Sequence, residues 1–333
     1  MKAVLSRVVG GPETLTFEDA PDPVPGPGQV LLAVAACGVN YPDGLVIEDR
    51  YQFKPPRPFS PGGEVSGTVI GLGADVTGVM LGQRVLATLG SSGGMAEKAV
   101  AEARRVLPIP DAMPFEEAAG LIFTYGTTYY ALKNRANLKA GETLLVLGAA
   151  GGVGSAAVEL GKAMGAKVIA AVSSAEKAEA AKTFGADETM IYPSGPFDKE
   201  GQKRLADLFK QACGKNGADV IYDPVGGDYA EASLRSIAWE GRFLVIGFPA
   251  GIPKLPLNLT LLKSCQVIGV FWGAFVARDP EGDAANTRGL FELYEQGLIK
   301  PRISKRFPLT QGAEAISWLW GRQALGKVVV TVP

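Results

Sequence analysis

The chain has 333 residues, of which 47% are apolar and 20% charged, with 33 basic against 34 acidic side chains and no histidine. It is an ordinary globular composition, long enough for two domains, with no bulk field to steer nucleic acid or an anionic membrane. Without histidine there is no Ser-His-Asp triad, Cys-His pair or imidazole base, and the three scattered cysteines supply too few ligands for zinc.

Residues 1–122 are rich in Gly, Pro and short β-type runs, and strands are predicted over 29–36, 64–71 and 83–88. They suggest a barrel-like β domain. The segment 49–61, with four prolines, reads as an ordered surface loop. From about 123 the pattern becomes alternating strand and helix. Strands are predicted at 143–147, 167–172, 188–192, 218–223, 242–247 and 266–271, and helices at 152–164, 175–184, 199–213 and 229–238. Alternation of this kind gives a parallel sheet flanked by helices. The last residues carry a helix near 286–296 and a strand over 326–332 that can return to the first domain. The expected fold is therefore α/β, with one domain from 1–122 plus 280–333 and a second, nucleotide-binding domain over 123–279. Cys37, Cys213 and Cys265 are far apart and odd in number, which suits reduced thiols. The first residues lack a signal peptide's apolar core and no 18-residue apolar span exists, so a cytoplasmic protein without membrane attachment is expected.

The run Thr143-Leu-Leu-Val-Leu147 followed by Gly148-Ala-Ala-Gly-Gly-Val-Gly154 is the strongest motif. A continuous apolar strand breaks into small residues and then a helical pattern, the context that gives a glycine-rich turn meaning. Ala149, Gly151 and Gly154 stand at the three glycine positions of a dinucleotide fingerprint, with Ala149 replacing the first. Gly151 lets the backbone approach a pyrophosphate, Gly154 lets helix and strand pack closely, and the helix amino end favours negative charge. NAD-binding versions carry an acid about twenty residues on for the ribose 2′-hydroxyl. Ser173 and Ser174 occupy that place, with Lys177 one turn further. Two hydroxyls and a cation suit a 2′-phosphate, so NADP(H) is expected over NAD(H). The serines also suit a helix cap, and the two roles are compatible.

With these pieces in order, the chain resembles the medium-chain dehydrogenase/reductase superfamily, and within it the zinc-free quinone oxidoreductase branch. The motifs span nearly the full length: Ala35-Ala-Cys-Gly-Val-Asn40, Pro61-Gly-Gly-Glu-Val65, Gly126-Thr-Thr-Tyr129, Ala150-Gly-Gly-Val-Gly154 and Gly326-Lys-Val-Val329. The resemblance implies a GroES-like β-barrel catalytic domain beside a Rossmann doubly wound parallel sheet. Zinc-dependent members read C-G-x-C-H-x-D where this chain has Cys37-Gly-Val-Asn-Tyr-Pro-Asp43, and G-H-E where it has Gly62-Gly-Glu64. Asn40 thus replaces one metal ligand and Gly63 another, and no zinc is expected.

The resemblance also assigns roles. Asn40 would lie beside the nicotinamide, where its amide meets a carbonyl or the ribose, unless it only stabilises a turn. A family tyrosine five residues on is replaced by Leu45, while the one eleven on is kept as Tyr51; Tyr41 is a substitute phenol or a packing residue. Thr127 would contact the nicotinamide ribose or phosphate, or cap a helix. Ala150, Gly151, Gly152 and Val153 would hold the pyrophosphate, and Ser173, Ser174, Lys177, Tyr192 and Arg322 the 2′-phosphate region, although Arg322 also reads as a solvated charge. Phe248, Phe271, Trp272 and Gly273 would meet the nicotinamide carboxamide.

These assignments imply hydride transfer from NADPH to a quinone or an α,β-unsaturated carbonyl without metal. An alternative is an enoyl-thioester reductase, with Arg50, Lys54 and Arg57 receiving CoA or carrier phosphates. Another is a nucleotide-binding protein without turnover. Specificity is expected in loops 45–60 and 272–285. The apolar edge strand 266–271 invites pairing with a second copy, so a homodimer is expected.

Overall fold

Periodicity in the first third builds strands whose alternate residues turn inward, and the computed structural model describes all 333 residues. In chain order these are β1 (Lys2–Leu5), β2 (Thr16–Asp19), β3 (Gln29–Val39), helix α1 (Tyr41–Ile47), β4 (Glu64–Leu72), β5 (Arg84–Thr88), β6 (Lys98–Glu102), β7 (Val106–Pro108) and helix α2 (Phe115–Ala118). A helix α3 follows, with π turns over Ile122–Gly126, an α turn over Thr127–Tyr129 and π turns again over Tyr130–Arg135. Next come β8 (Thr143–Leu147), α4 (Gly152–Ala163), β9 (Lys167–Val172), α5 (Ala175–Thr183), β10 (Glu188–Ile191), α6 (Lys199–Cys213), β11 (Ala218–Asp223), α7 (Asp228–Leu234) and β12 (Ile237–Val245). The chain ends with α8 (Asn258–Lys263), β13 (Gln266–Gly269), α9 (Trp272–Arg278), α10 (Pro280–Glu295), β14 (Ile303–Pro308), α11 (Gly312–Trp320) and β15 (Lys327–Thr331).

Two units result, Met1–Phe123 with Pro301–Pro333, and Thr124–Lys300. In the first, β3 is the organising strand. It pairs antiparallel with β4 along one side, and on the other with β6 through Gln29–Ala33 and with β15 through Ala36–Val39. The sheet runs β14-β15-β3-β4-β5-β7, so strands from both ends of the sequence close one GroES-like barrel. Val30, Leu32, Val34, Val65, Val85, Met95, Val328 and Val330 fill its core. At about 25 cal/mol per Å2, apolar burial of this kind is the main driving term for the unit.

The second unit is a six-stranded parallel sheet in the order β10-β9-β8-β11-β12-β13, the doubly wound Rossmann arrangement. Its strands are nearly continuous apolar runs because helices cover both faces; Leu145, Leu147, Ile169, Ile221 and Phe243 pack on one side with Leu205 and Phe209 of α6. No helix of the chain is long and apolar enough to cross a membrane, and the three cysteines are unpaired.

Three expectations are corrected. The second crossing falls at Pro301 rather than at residue 280. The reason is that α10 is anchored in the second unit: Asn286 donates from Nδ2 to Asn134 Oδ1 at 2.8 Å, and Leu290 is fully buried. The expected loop 272–285 is helical, because Asp279 caps α10 by accepting from Gly282 N–H at 2.9 Å and Pro280 sits at its first turn. Finally, β12 starts at Ile237 and shortens the expected helix 229–238. A bulge absorbs the difference: Ala218 faces Ile237 but Val220 faces Arg242, with Glu240 at φ 56° between them.

Candidate functional site

The glycine-rich turn leaves the carboxyl end of β8 at the middle of the parallel sheet. Gly148 takes the left-handed conformation (φ 58°), so the turn's conformational demand falls one residue before Ala149. That explains how an alanine stands at the first fingerprint position. Gly154 has no room for a side chain: a Cβ there would collide with Gly148 O and lie 2.8 Å from Ala149 Cα. At Gly151 a Cβ would meet only Gly148 O, at an ordinary 3.4 Å, so nothing in the protein itself requires glycine there. No side chain caps α4 at Gly151. The first N–H groups of a helix have no intrahelical partner, so the turn fits a bound phosphate. Ala150 is buried beneath it, with Gly152 and Val153 half-exposed in the first turn.

At the carboxyl end of the neighbouring β9, Ser173, Ser174 and Lys177 converge. Lys177 Nζ donates to Ser173 Oγ at 3.2 Å, and Ser174 Oγ caps α5 by accepting from Lys177 N–H at 3.3 Å. Capping and clustering therefore occur together. Tyr192 N–H donates to Val172 O at 2.9 Å, which fixes its backbone beside this cluster. Its ring is core, 5.0 Å from Tyr229 and 6.3 Å from Phe209 between centroids. Arg322 belongs to the first unit, exposed just after α11 at φ 57°.

A Cβ on Gly126 would come within 3.1 Å of the Trp272 indole, so the second unit itself brings the Thr127 turn to Trp272. Trp272 Nε1 donates to Asp283 Oδ1 at 3.2 Å, and Phe271 beside it is 49% exposed. Gly273 is exposed in the first turn of α9. Phe248 is also exposed and sits on the loop after β12, which is clasped to the loop after β11: Gly227 N–H donates to Gly251 O and Ala250 N–H to Val225 O. Buried Asp223 braces that second loop by accepting from Val225 and Gly226 N–H at 2.8 and 2.9 Å. Burial outweighs those two bonds and raises its carboxyl to about 6.

In the first unit Asn40 precedes α1. Its N–H donates to Asp43 Oδ2 at 2.7 Å, its Nδ2 to Gly38 O and Glu64 Oε2 at 3.2 and 3.1 Å, and its Oδ1 accepts from Lys327 Nζ at 2.8 Å. Asp43 is buried, and desolvation pushes its carboxyl up to about 7 despite the bond from Asn40. Burial, and after it the Asp43 charge, raises the Tyr51 phenol, whose ring packs on the barrel core. Tyr41 is more exposed; its ring tilts against Trp320 at 5.9 Å and its carbonyl accepts from Trp320 Nε1 at 3.3 Å. Asn40 and Tyr41 thus adjoin at the junction of β3 and α1, and Tyr51 follows in the loop after α1. Of the basic residues in that loop, Arg50 pairs with Glu48 and Arg57 with Asp49.

Two family models match the chain: an alcohol dehydrogenase GroES-like domain over residues 26–111, and a zinc-binding dehydrogenase domain over 152–286. A quinone oxidoreductase-like protein 2 homolog of Nematostella vectensis is 38% identical over 99% of this chain and 88% of its own length. The chain belongs to the quinone oxidoreductase branch of the medium-chain dehydrogenase/reductase superfamily. Among solved members, the Escherichia coli quinone oxidoreductase complexed with NADPH superposes with a TM-score of 0.89 at 27% identity, covering 99% of this chain and 100% of that one. A mycobacterial protein complexed with NADPH gives 0.90 at 31% identity, covering 99% of each chain.

No three His, Cys, Asp or Glu side chains converge as a metal cluster would require. Two groups escaped the sequence reading. Glu64 and Lys327 are buried together, and a lysine opening an otherwise apolar strand (Lys327-Val-Val-Val330) was the available signal. Thr128, rather than Thr127, makes the buried contacts of its turn, donating to Thr124 O at 2.7 Å and meeting Tyr222 Oη at 2.8 Å.

Proposed function

We propose that this protein reduces a quinone or an α,β-unsaturated carbonyl with NADPH, without a metal and as a homodimer. The observation that carries the coenzyme reading is the Ser173–Ser174–Lys177 cluster, where no carboxylate occupies either serine position. A 2′-phosphate finds there a cation, two hydroxyls and a helix amino end. Ala150, Gly151, Gly152 and Val153 hold the pyrophosphate. Thr127, Phe248, Phe271, Trp272 and Gly273 orient the nicotinamide. Bound NADPH supplies a hydride, hence two electrons, to the acceptor carbon.

The protein's own task is to meet the charge that develops on the acceptor oxygen. Tyr41 and Tyr51 serve that end, while the Asn40 amide, whose two protons go to Gly38 O and Glu64 Oε2, holds the start of α1 beside them. One donor of this kind is typically worth about 3 kcal/mol in the transition state. The Tyr51 phenol, raised by its surroundings, keeps its proton at neutral pH and can give it to the reduced acceptor. Three unpaired thiols suit a reducing compartment such as the cytoplasm.

The test follows NADPH absorbance in the near ultraviolet with an ortho-quinone, an enone and an enoyl-CoA in separate reactions. Oxidation with the quinone or the enone is expected. Oxidation by the thioester alone would overturn the acceptor assignment in favour of a thioester reductase, and binding of NADPH with no oxidation by any acceptor would mark a binding protein.

A further inference from the structure

At the mouth of β15 the first unit closes a polar network entirely on itself. Lys327 Nζ donates to Asn40 Oδ1 at 2.8 Å, Glu64 Oε2 at 3.3 Å and Val39 O at 3.5 Å, which uses all three of its protons. Glu64 Oε1 accepts from Phe123 N–H at 2.9 Å, and the Asn40 amide protons go to Gly38 O and Glu64. Lys327 is 2% exposed and Glu64 wholly buried. We infer that Lys327 is the resident cation of this network, that its ammonium closes the position to a divalent metal, and that it is the positioning residue which sets the Asn40 amide. The last part rests on the reductase reading above.

The charge count supports the first claim. Two carboxyls are buried here: burial pushes that of Asp43 up to about 7, and that of Glu64 has the Lys327 ammonium within hydrogen-bond reach, so a dication could take the place beside Glu64 only by displacing that ammonium. The walls support it too. A Cβ on Gly63 would collide with Gly90 O, and one on Gly38 would collide with Ala119 O and come within 2.7 Å of Glu64 Oε2. Neither position can therefore supply another ligand without moving backbone.

The second claim follows from the asymmetry of an amide. An Asn side chain presents an acceptor on one side and two donors on the other. A lysine has no acceptor, so at 2.8 Å only Asn40 Oδ1 can face it. The amide protons must then point toward Glu64 and Gly38. The lysine is itself held by its strand, with Val328 opposite Val39 and Val328, Val329 and Val330 fully buried. A buried ion pair often adds little net stability over an apolar replacement, which makes orientation the better account of this one.

Two measurements decide. The unaltered protein is equilibrated with zinc, freed of loosely held ion and analysed for metal; no stoichiometric zinc is expected, and one zinc per chain overturns the resident-cation claim. Separately, Lys327→Met, Lys327→Arg and the pair Lys327→Met with Glu64→Gln are compared for Tm and kinetics. Lys327→Met strands a buried carboxylate and lowers Tm; the double variant regains most of that loss. In all three, kcat falls about tenfold or more while KM for NADPH stays within about twofold, as expected when the groups that follow Asn40 on α1 are displaced and coenzyme binding is not. Recovery of kcat together with Tm in the double variant, or unaltered kcat in Lys327→Arg, overturns the positioning claim. Lys327→Arg keeps the charge, so this reading survives if the neutral variants do not fold. If the unaltered protein oxidises no NADPH with any acceptor, the reductase reading and the positioning claim fall together, whereas the zinc content and the Tm comparison still decide the resident cation.

Discussion

Lys177 is the side chain on which coenzyme choice should turn. It is half-buried, already aimed at Ser173 Oγ, and placed where an NAD-binding relative would need a carboxylate. A hydrogen bond to a charged group is worth about 1.5–3 kcal/mol. Lys177→Ala is therefore expected to weaken NADPH about tenfold or more and to leave NADH almost unchanged, read by fluorescence titration of both coenzymes. Equal losses for the two would remove the 2′-phosphate from this position. The cluster was legible because its members lie within five residues and follow a recognisable strand. The Glu64–Lys327 pair was not, since its partners are 263 positions apart and meet only when β15 joins β3. Tyr192 illustrates a third case. Its place after β10 could be read from the pattern, but its ring is packed in the core against Tyr229 and Phe209.

Among the elements, the turn between β8 and α4 separates structural glycine from ligand-facing glycine. Gly154→Ala forces a methyl against Gly148 O, and overpacking of this kind costs about 1–3 kcal/mol. Its urea midpoint should fall, and coenzyme binding with it. Gly151→Ala meets nothing closer than 3.4 Å in the protein, so its midpoint should hold while NADPH affinity drops. A Gly151→Ala protein that binds NADPH as tightly as the parent would mean that no phosphate passes there. This element was readable residue by residue, apart from the shift of left-handed geometry onto Gly148. Short pieces were harder to read. β6, β7 and β14 are three to six residues long and carry little periodicity of their own. The packing of α11 on α1 was likewise invisible: Gly44 is needed there because a Cβ would run into the Trp320 ring, a contact between residues far apart in sequence. The Asp279-Pro280 step did carry a helix-start signal, and with it the helical character of 272–285 was available in principle.

For the whole molecule, the parallel sheet ends at β13, which pairs only with β12. Val267 on that strand is exposed, as are Ile252, Leu257, Leu261 and Leu262 just before it. An unpaired strand edge rimmed by apolar side chains is a template for a second copy of itself. Light scattering should give about twice the 34.8 kDa chain mass, and Val267→Lys should shift the population toward the single chain. A unit mass for the unaltered protein at micromolar concentration would count against the dimer. The two-domain plan and its sheet types were legible from the switch between period-two and strand–helix patterns. The return point at Pro301 was not, because the anchoring of α10 depends on Asn286, Leu290 and their distant neighbours.

The interrupted first unit bears on how the protein comes into being on a ribosome. Thr124–Lys300 is one uninterrupted stretch, and every strand of its sheet has been synthesised before Pro301 emerges. The barrel has no such freedom: β3 lacks its neighbour along Ala36–Val39, and Glu64 lacks its counter-ion, until residues 327–331 have left the exit tunnel. The amino-terminal third must therefore wait, incomplete, through the making of everything between, and the last strand to be translated is the one that seals it.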